Sequence, residues 1–123
     1  MIIDTSKKFL IVGLGLMGGS YAMGLKRFGF RVSAITKDQS SVDYALKNKL
    51  IDKGSANTDK ELISEADIII FALYPHDFMN WIKDNQQYIK KNALLTDVTG
   101  VKGCIVYKIQ EILRDDLEFI AAH

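Results

Sequence analysis

Short apolar runs alternate with amphipathic segments along the whole chain. The runs predict strands over residues 8–13, 31–36, 67–73, 93–98 and 117–121, with a brief additional strand near Ser55-Ala56. Continuous apolar runs of this length are typical of strands that are buried on both faces of a parallel sheet. The pattern therefore predicts a layered fold in which helices cover both faces of one sheet.

The segments between these runs have helical spacing. Helices are predicted over 16–28, 41–49 and 59–65, from Pro75 onward, and over 101–113. Gly29 is placed to end the first helix, and Ser40 or Ser41 is placed to cap the second. Alternating strands and helices imply right-handed crossovers, and six strands predict the order 3-2-1-4-5-6. We therefore expect one Rossmann-type, doubly wound α/β domain over residues 1–123.

Composition narrows the class of protein without identifying a function. The 123 residues carry a net charge of +1, which gives no case for a nucleic-acid or acidic-membrane surface. The longest apolar run, 68–74, is far shorter than the ~20 residues of a membrane span. The single cysteine, Cys104, is interpreted as a small packing residue and fits a reducing compartment. We expect a cytoplasmic protein without a signal peptide. Because the sequence ends on an apolar stretch, we also expect it to be part of a longer protein.

A glycine-rich turn follows the first predicted strand and opens the first helix. Gly13, Gly15 and Gly18 form a G-x-G-x-x-G pattern in the context that dinucleotide-binding domains require. Gly13 allows the sharp turn, Gly15 lets a pyrophosphate approach the backbone, and Gly18 allows close packing of helix on sheet. Leu16 and Met17 then begin the helix, whose free N–H groups attract phosphate. The five residues are predicted to bind the cofactor.

The end of the second strand indicates which dinucleotide fits. Domains that prefer NAD carry Asp or Glu there to bind the ribose 2′-hydroxyl, whereas this chain has Thr36 followed by Lys37. A hydroxyl and an ammonium attract a 2′-phosphate, and Ser40 adds a further hydroxyl from the next helix. The sequence thus favours NADP over NAD. The alternative is that Lys37 is an ordinary surface lysine and that Asp38 takes the ribose.

Other polar residues near strand ends have weaker support. Asp97 ends the fifth strand, where ligands bind in such sheets, so we predict a cofactor contact; it can equally cap the following helix. His76-Asp77 lacks the further ligands of a metal site, and no metal is predicted. The charged residues 114–116 are interpreted as an exposed turn.

Three segments together resemble the prephenate/arogenate dehydrogenase family. They are residues 12–20 (VGLGLMGGS), residues 95–103 (LTDVTGVKG), which are similar to the family's T-D-x-x-S-V-K segment, and residues 119–123 (FIAAH), which are similar to the start of its H-P-M-A-G motif. The family oxidises prephenate or arogenate in tyrosine biosynthesis. Hydride leaves C4 of the ring for the nicotinamide, carbon dioxide is lost, and the ring becomes aromatic.

The resemblance also implies roles for individual residues. His123 matches the catalytic histidine that bonds the substrate's 4-hydroxyl and assists its deprotonation, a task that suits imidazole at neutral pH. Gly100 stands where the family commonly has a catalytic serine, and Thr99 is the candidate to supply that hydroxyl.

The resemblance further implies a second, helical domain that pairs two subunits into a homodimer and completes the substrate site. We therefore expect the present chain to bind nucleotide and to have little or no activity alone. The alternatives are the cofactor domain of another two-domain dehydrogenase and a nucleotide-sensing module without chemistry.

Overall fold

The computed structural model describes residues 5–13, 15–100 and 103–121. Within these residues, six strands form one sheet in the order β3-β2-β1-β4-β5-β6, and every neighbouring pair is parallel. The strands are β1 (Lys8–Val12), β2 (Arg31–Ile35), β3 (Lys53–Ser55), β4 (Ile68–Phe71), β5 (Leu94–Asp97) and β6 (Glu118–Ala121). The predicted Rossmann-type topology is confirmed.

Within the same residues, five helices connect the strands. They are α1 (Leu16–Arg27), α2 (Gln39–Lys47), α3 (Lys60–Glu65), α4 (Pro75–Asn85) and α5 (Gly103–Ile112). A single 3₁₀ turn, Gln86–Tyr88, follows α4. Tyr88 and Ile89 therefore lie beyond α4.

Alternate residues of the central strands bury two separate apolar clusters. Leu10 and Val12 of β1 pack in the cluster that contains the apolar residues of α3, α4 and α5. Ile11, between them, packs in the cluster that contains Ala22 of α1 and Ala45 of α2. The pleat of β1 points successive side chains to opposite faces, so α1 and α2 cover one face and α3, α4 and α5 the other.

The sheet order places a crevice at the carboxyl end of β1. From β1 the chain proceeds outward to β2 and β3, and then returns to β4 on the other side. The connections that leave the carboxyl ends of β1 and β4 therefore diverge, toward β2 and β5 respectively, and ligands of such sheets bind in the crevice between them.

Three local expectations from the sequence were wrong. The helix after β2 begins at Gln39, and its N-cap is Asp38, whose carboxylate accepts from the Ser40 N–H at 3.1 Å. A carboxylate at this position outcompetes the serine hydroxyls as a cap because it is charged and accepts several bonds. Cys104 is exposed on α5 instead of packed.

The third concerns Arg114, which was interpreted as part of an exposed turn. Its guanidinium donates to the Gln86 and Ile89 carbonyl oxygens at 2.7 and 2.9 Å, and pairs with Asp116 through two bonds of 2.9 and 2.7 Å. Arg114 thus joins the end of α4 to the segment between α5 and β6, a contact between residues far apart in sequence.

Candidate functional site

The glycine turn after β1 is closely packed on one side and open on the other. Gly13 has φ +97° and its N–H donates to Ile35 O at 2.8 Å, which ties the turn to β2. A Cβ atom on Gly18 would lie 2.1 Å from Gly13 O, whereas a Cβ on Gly15 would meet no atom within 4 Å. Gly18 is thus required for packing, and Gly15 leaves space for a ligand.

The start of α1, which has no side-chain cap, lies next to this turn. Gly15 is the N-cap and makes no side-chain cap, and the first turn contains no acidic residue. Such a helix start suits a phosphate group, which binds the free N–H groups and the positive end of the helix dipole. Leu16 and Met17 begin α1 as predicted, and Leu14 lies outside the described residues.

A cavity of about 650 Å³ runs from this turn along the carboxyl edge of the sheet. One wall consists of the ends of β1 and β2 and the loop after β3, including Gly13, Thr36 and Lys37. The opposite wall is Leu73 and one face of α4: Asp77, Asn80, Trp81, Asp84 and Asn85. The structure therefore brings the glycine turn and the residues after β2 together in a single site.

The residues after β2 differ in the hydrogen bonds that they make within the fold. The Thr36 N–H donates to Ser55 O at 3.1 Å, which fixes its backbone beside β3. Hydrogen bonds from the Ser40 and Ser41 hydroxyls, both 2.8 Å, hold the pKa of the Asp38 carboxyl below its usual value. These bonds engage Asp38 in capping α2, and Thr36 and Lys37 line the cavity. The Ser40 hydroxyl, which was predicted to contact the cofactor, donates its proton to Asp38 Oδ1 in this structure.

Asp97 and Thr99 connect the loops that follow β4 and β5. The Thr99 hydroxyl lies 2.6 Å from Asp97 Oδ1 and 3.2 Å from Leu73 O, and the Thr99 N–H donates to Asp97 Oδ1 at 3.2 Å. Asp97 is fully buried. Its carboxylate therefore holds the turn that continues to Gly100, where φ is +74°. Direct contact of Asp97 with a cofactor stays a prediction, as does the catalytic role of Thr99.

Two histidines were also considered as candidates. His123 lies outside the described residues. His76 is exposed and its Nε2 pairs with Asn80 Nδ2 at 3.1 Å. Within residues 5–13, 15–100 and 103–121, no group of three or more metal-ligating side chains occurs, and no helix is long and apolar enough to cross a membrane.

The contribution of α4 to the wall of the cavity was not predicted from the sequence. Its inner positions include Phe78, Ile82 and then Asn85, which is only 7% exposed. Asn85 could have been identified from the sequence because it is an amide on the apolar side of a helix, three residues after the buried Ile82.

Comparison with known proteins agrees with this geometry. Residues 21–123 match the family model described as prephenate dehydrogenase, nucleotide-binding domain. The chain is 30% identical over 122 residues to a prephenate dehydrogenase of Lactococcus lactis subsp. cremoris, covering 95% of this chain and 33% of that protein.

Solved structures give the same relationship. A prephenate dehydrogenase from A. aeolicus, in complex with hydroxyphenyl propionate and NAD+, superposes with a TM-score of 0.82 at 28% identity, over 95% of this chain and 41% of that one. The Synechocystis arogenate dehydrogenase superposes with a TM-score of 0.78 at 28% identity, over 85% and 37%. The chain thus spans about a third of the length of the curated relative.

Proposed function

The chain belongs to the prephenate dehydrogenase family as its nucleotide-binding domain, and on that premise we propose that it holds the nicotinamide dinucleotide for the oxidative decarboxylation of prephenate or arogenate. The observation that carries this proposal is the turn from Gly13 to Gly18. Open space at Gly15 and a start of α1 without a side-chain cap directly follow Gly13, which lines the cavity. This combination suits a pyrophosphate and has no evident structural purpose.

The dinucleotide is proposed to lie across the crevice, with its adenosine half over the ends of β1, β2 and β3. The nicotinamide half then lies over the ends of β4 and β5, beside Leu73 and the Thr99–Gly100 turn. When bound, the nicotinamide supplies the hydride acceptor. The described residues bind and orient it. A titration of folded protein with reduced cofactor, followed by nucleotide fluorescence, tests this placement, and absence of binding contradicts it.

We propose that the cofactor is NADP in preference to NAD. Thr36 occupies the position where an acidic residue would repel a 2′-phosphate, and Lys37 lines the cavity beside it. Asp38, which could have opposed this preference by binding the ribose, is engaged at the cap of α2. An exposed contact between an ammonium and a phosphate contributes on the order of 1 kcal/mol, or about fivefold in affinity.

Parallel titrations with NADPH and NADH test the preference. Lys37→Ala is expected to weaken NADPH binding about fivefold and to leave NADH binding unchanged. Lys47→Ala, in the last turn of α2 and outside the cavity, should change neither. Wild-type protein that binds NADH as tightly as NADPH would contradict the proposal.

The substrate chemistry is proposed from the family. His123 is to accept the proton of the substrate's 4-hydroxyl as hydride leaves C4, after which loss of carbon dioxide makes the ring aromatic. Thr99 is to stand in for the family serine. Because its proton is directed to Asp97 and Leu73 O, the Thr99 hydroxyl offers its oxygen as an acceptor.

The chain by itself is proposed to bind cofactor with little or no turnover, since a further domain is needed to complete the substrate site. The whole protein is proposed to be a cytoplasmic homodimer that acts in tyrosine biosynthesis. The decisive assay uses the longer gene product with both substrates and both cofactors. His123→Asn in that protein should lower kcat by about 10²–10⁴-fold and leave cofactor affinity unchanged.

A further inference from the structure

One polar side chain that lines the cavity has a hydrogen-bonding atom that the fold does not use. Asn85 ends α4, is 7% exposed and lines the cavity. Its Nδ2 donates to Trp81 O, one helical turn earlier, at 3.1 Å. That is the only hydrogen bond its side chain makes to the described part of the chain.

The orientation of this amide is fixed by its neighbour. The Trp81 carbonyl can only accept, so the Asn85 nitrogen must face it and Oδ1 must point the other way. Trp81 is itself held edge-on against the fully buried Phe71, with ring centroids 5.0 Å apart. The position of the amide is therefore set before any ligand arrives.

The amide oxygen must open onto the cavity. Among the described residues, no side-chain oxygen or nitrogen is sealed from solvent without a partner. Asn85 Oδ1 has no protein donor, so it retains access to solvent, and the space that Asn85 lines is the cavity. Asn85 Oδ1 is therefore an oriented acceptor that solvent or a bound ligand can reach, which suits it to accept from a donor group of a ligand.

We propose that Asn85 recognises the base of the bound dinucleotide by accepting a hydrogen bond from the exocyclic 6-amino group of adenine. The inference rests on the proposed cofactor function. An acceptor requires a donor, and the adenosine half offers only the ribose hydroxyls and this amine. The ribose is assigned to Thr36 and Lys37 after β2, which leaves the amine for the α4 wall opposite.

The test compares two reduced cofactors that differ at one position of the base. Hypoxanthine replaces the 6-amino donor with a carbonyl acceptor, which would oppose Asn85 Oδ1. Wild-type protein is expected to bind the adenine dinucleotide about tenfold more tightly than the hypoxanthine dinucleotide. Asn85→Leu removes the amide at similar volume and should bring the two affinities together, with Asn85→Ala as a second variant if the leucine disturbs folding.

Asn48 provides a matched control. At the end of α2 its Nδ2 donates to Tyr44 O at 2.8 Å, the same bond one helical turn back, but Asn48 is exposed and lies outside the cavity. Asn48→Leu should keep the wild-type ratio.

Equal wild-type affinities for the two cofactors would overturn the role of Asn85 and leave the proposed function standing. A tenfold ratio that survives in both Asn85 variants would also overturn it, because another group must then recognise the base. Failure of folded wild-type protein to bind either cofactor would instead contradict the proposed function.

Discussion

Alanine substitutions at three glycines of α1 and its N-cap should have three different outcomes. In Gly18→Ala the new Cβ would lie 2.1 Å from Gly13 O and 3.4 Å from Ile11 Cγ2. Neither Gly13 O nor the helix backbone can rotate away, so α1 must move off the sheet. Overpacking of this kind costs about 3 kcal/mol, and the better helix propensity of alanine returns about 1 kcal/mol. We expect a net loss of about 2 kcal/mol in the free energy of unfolding.

Gly15→Ala should instead separate binding from stability. Gly15 has φ −70°, which alanine adopts without strain, and its Cβ would meet no protein atom within 4 Å. The fold should therefore be unchanged, while the methyl group occupies the space proposed for the pyrophosphate. We expect the affinity for reduced cofactor to fall by about tenfold or more.

Gly24→Ala is the matched control for both variants. Gly24 lies within α1, and its Cβ would also meet nothing within 4 Å. It should gain about 0.5–1 kcal/mol in stability and bind cofactor as the wild type does. Urea unfolding and fluorescence titration on the same four proteins make the comparison. Wild-type stability in Gly18→Ala would refute the packing argument, and wild-type affinity in Gly15→Ala would refute the placement of the pyrophosphate.

Three further predictions concern individual hydrogen bonds and ion pairs. Thr99→Val removes a 2.6 Å donor from the buried Asp97 and should cost about 1–3 kcal/mol in urea unfolding; Thr99→Ser should restore it, and equal stability of the valine variant would contradict the role of this bond. Burial raises the pKa of Asp67, but bonds from Lys90 and the Lys8 N–H outweigh it and lower the pKa below 3.8. The contribution of ionised Asp67 to the free energy of unfolding is therefore present above about pH 4 and is lost as the pH falls through the folded-state pKa. Acid unfolding of the wild type and of Lys90→Met at the same pH would contradict this. Arg114→Leu should cost about 1–2 kcal/mol by releasing the end of α4, measured by thermal unfolding, and an unchanged Tm would disprove it.

The fold was predictable because it depends on patterns that are local or periodic. Apolar runs marked five of the six strands to within a residue or two, β3 being polar, and the alternation of strands with helices was enough to predict the sheet order. The errors arose where two local signals competed. Asp38, Ser40 and Ser41 are all good caps, and only the structure shows that the carboxylate caps α2 while both hydroxyls bond to it.

The parts of the site that were predictable from the sequence are the glycine turn and the residues after β2. The glycine spacing can be recognised in the sequence because each glycine is required by a turn, by the approach of a ligand or by a closely packed neighbour. Asn85 and Thr99 are different, since the roles proposed for them depend on residues of other elements that the fold brings close. The Thr99 hydroxyl meets Leu73 O across 26 residues, and Asn85 lines the cavity opposite loops from the other half of the sheet. No spacing rule connects such residues, because the crossovers that bring them together are set by the sheet order. Side chains that position or recognise a cofactor must therefore be sought in the folded structure, among buried polar groups whose hydrogen-bonding atoms the fold itself does not use.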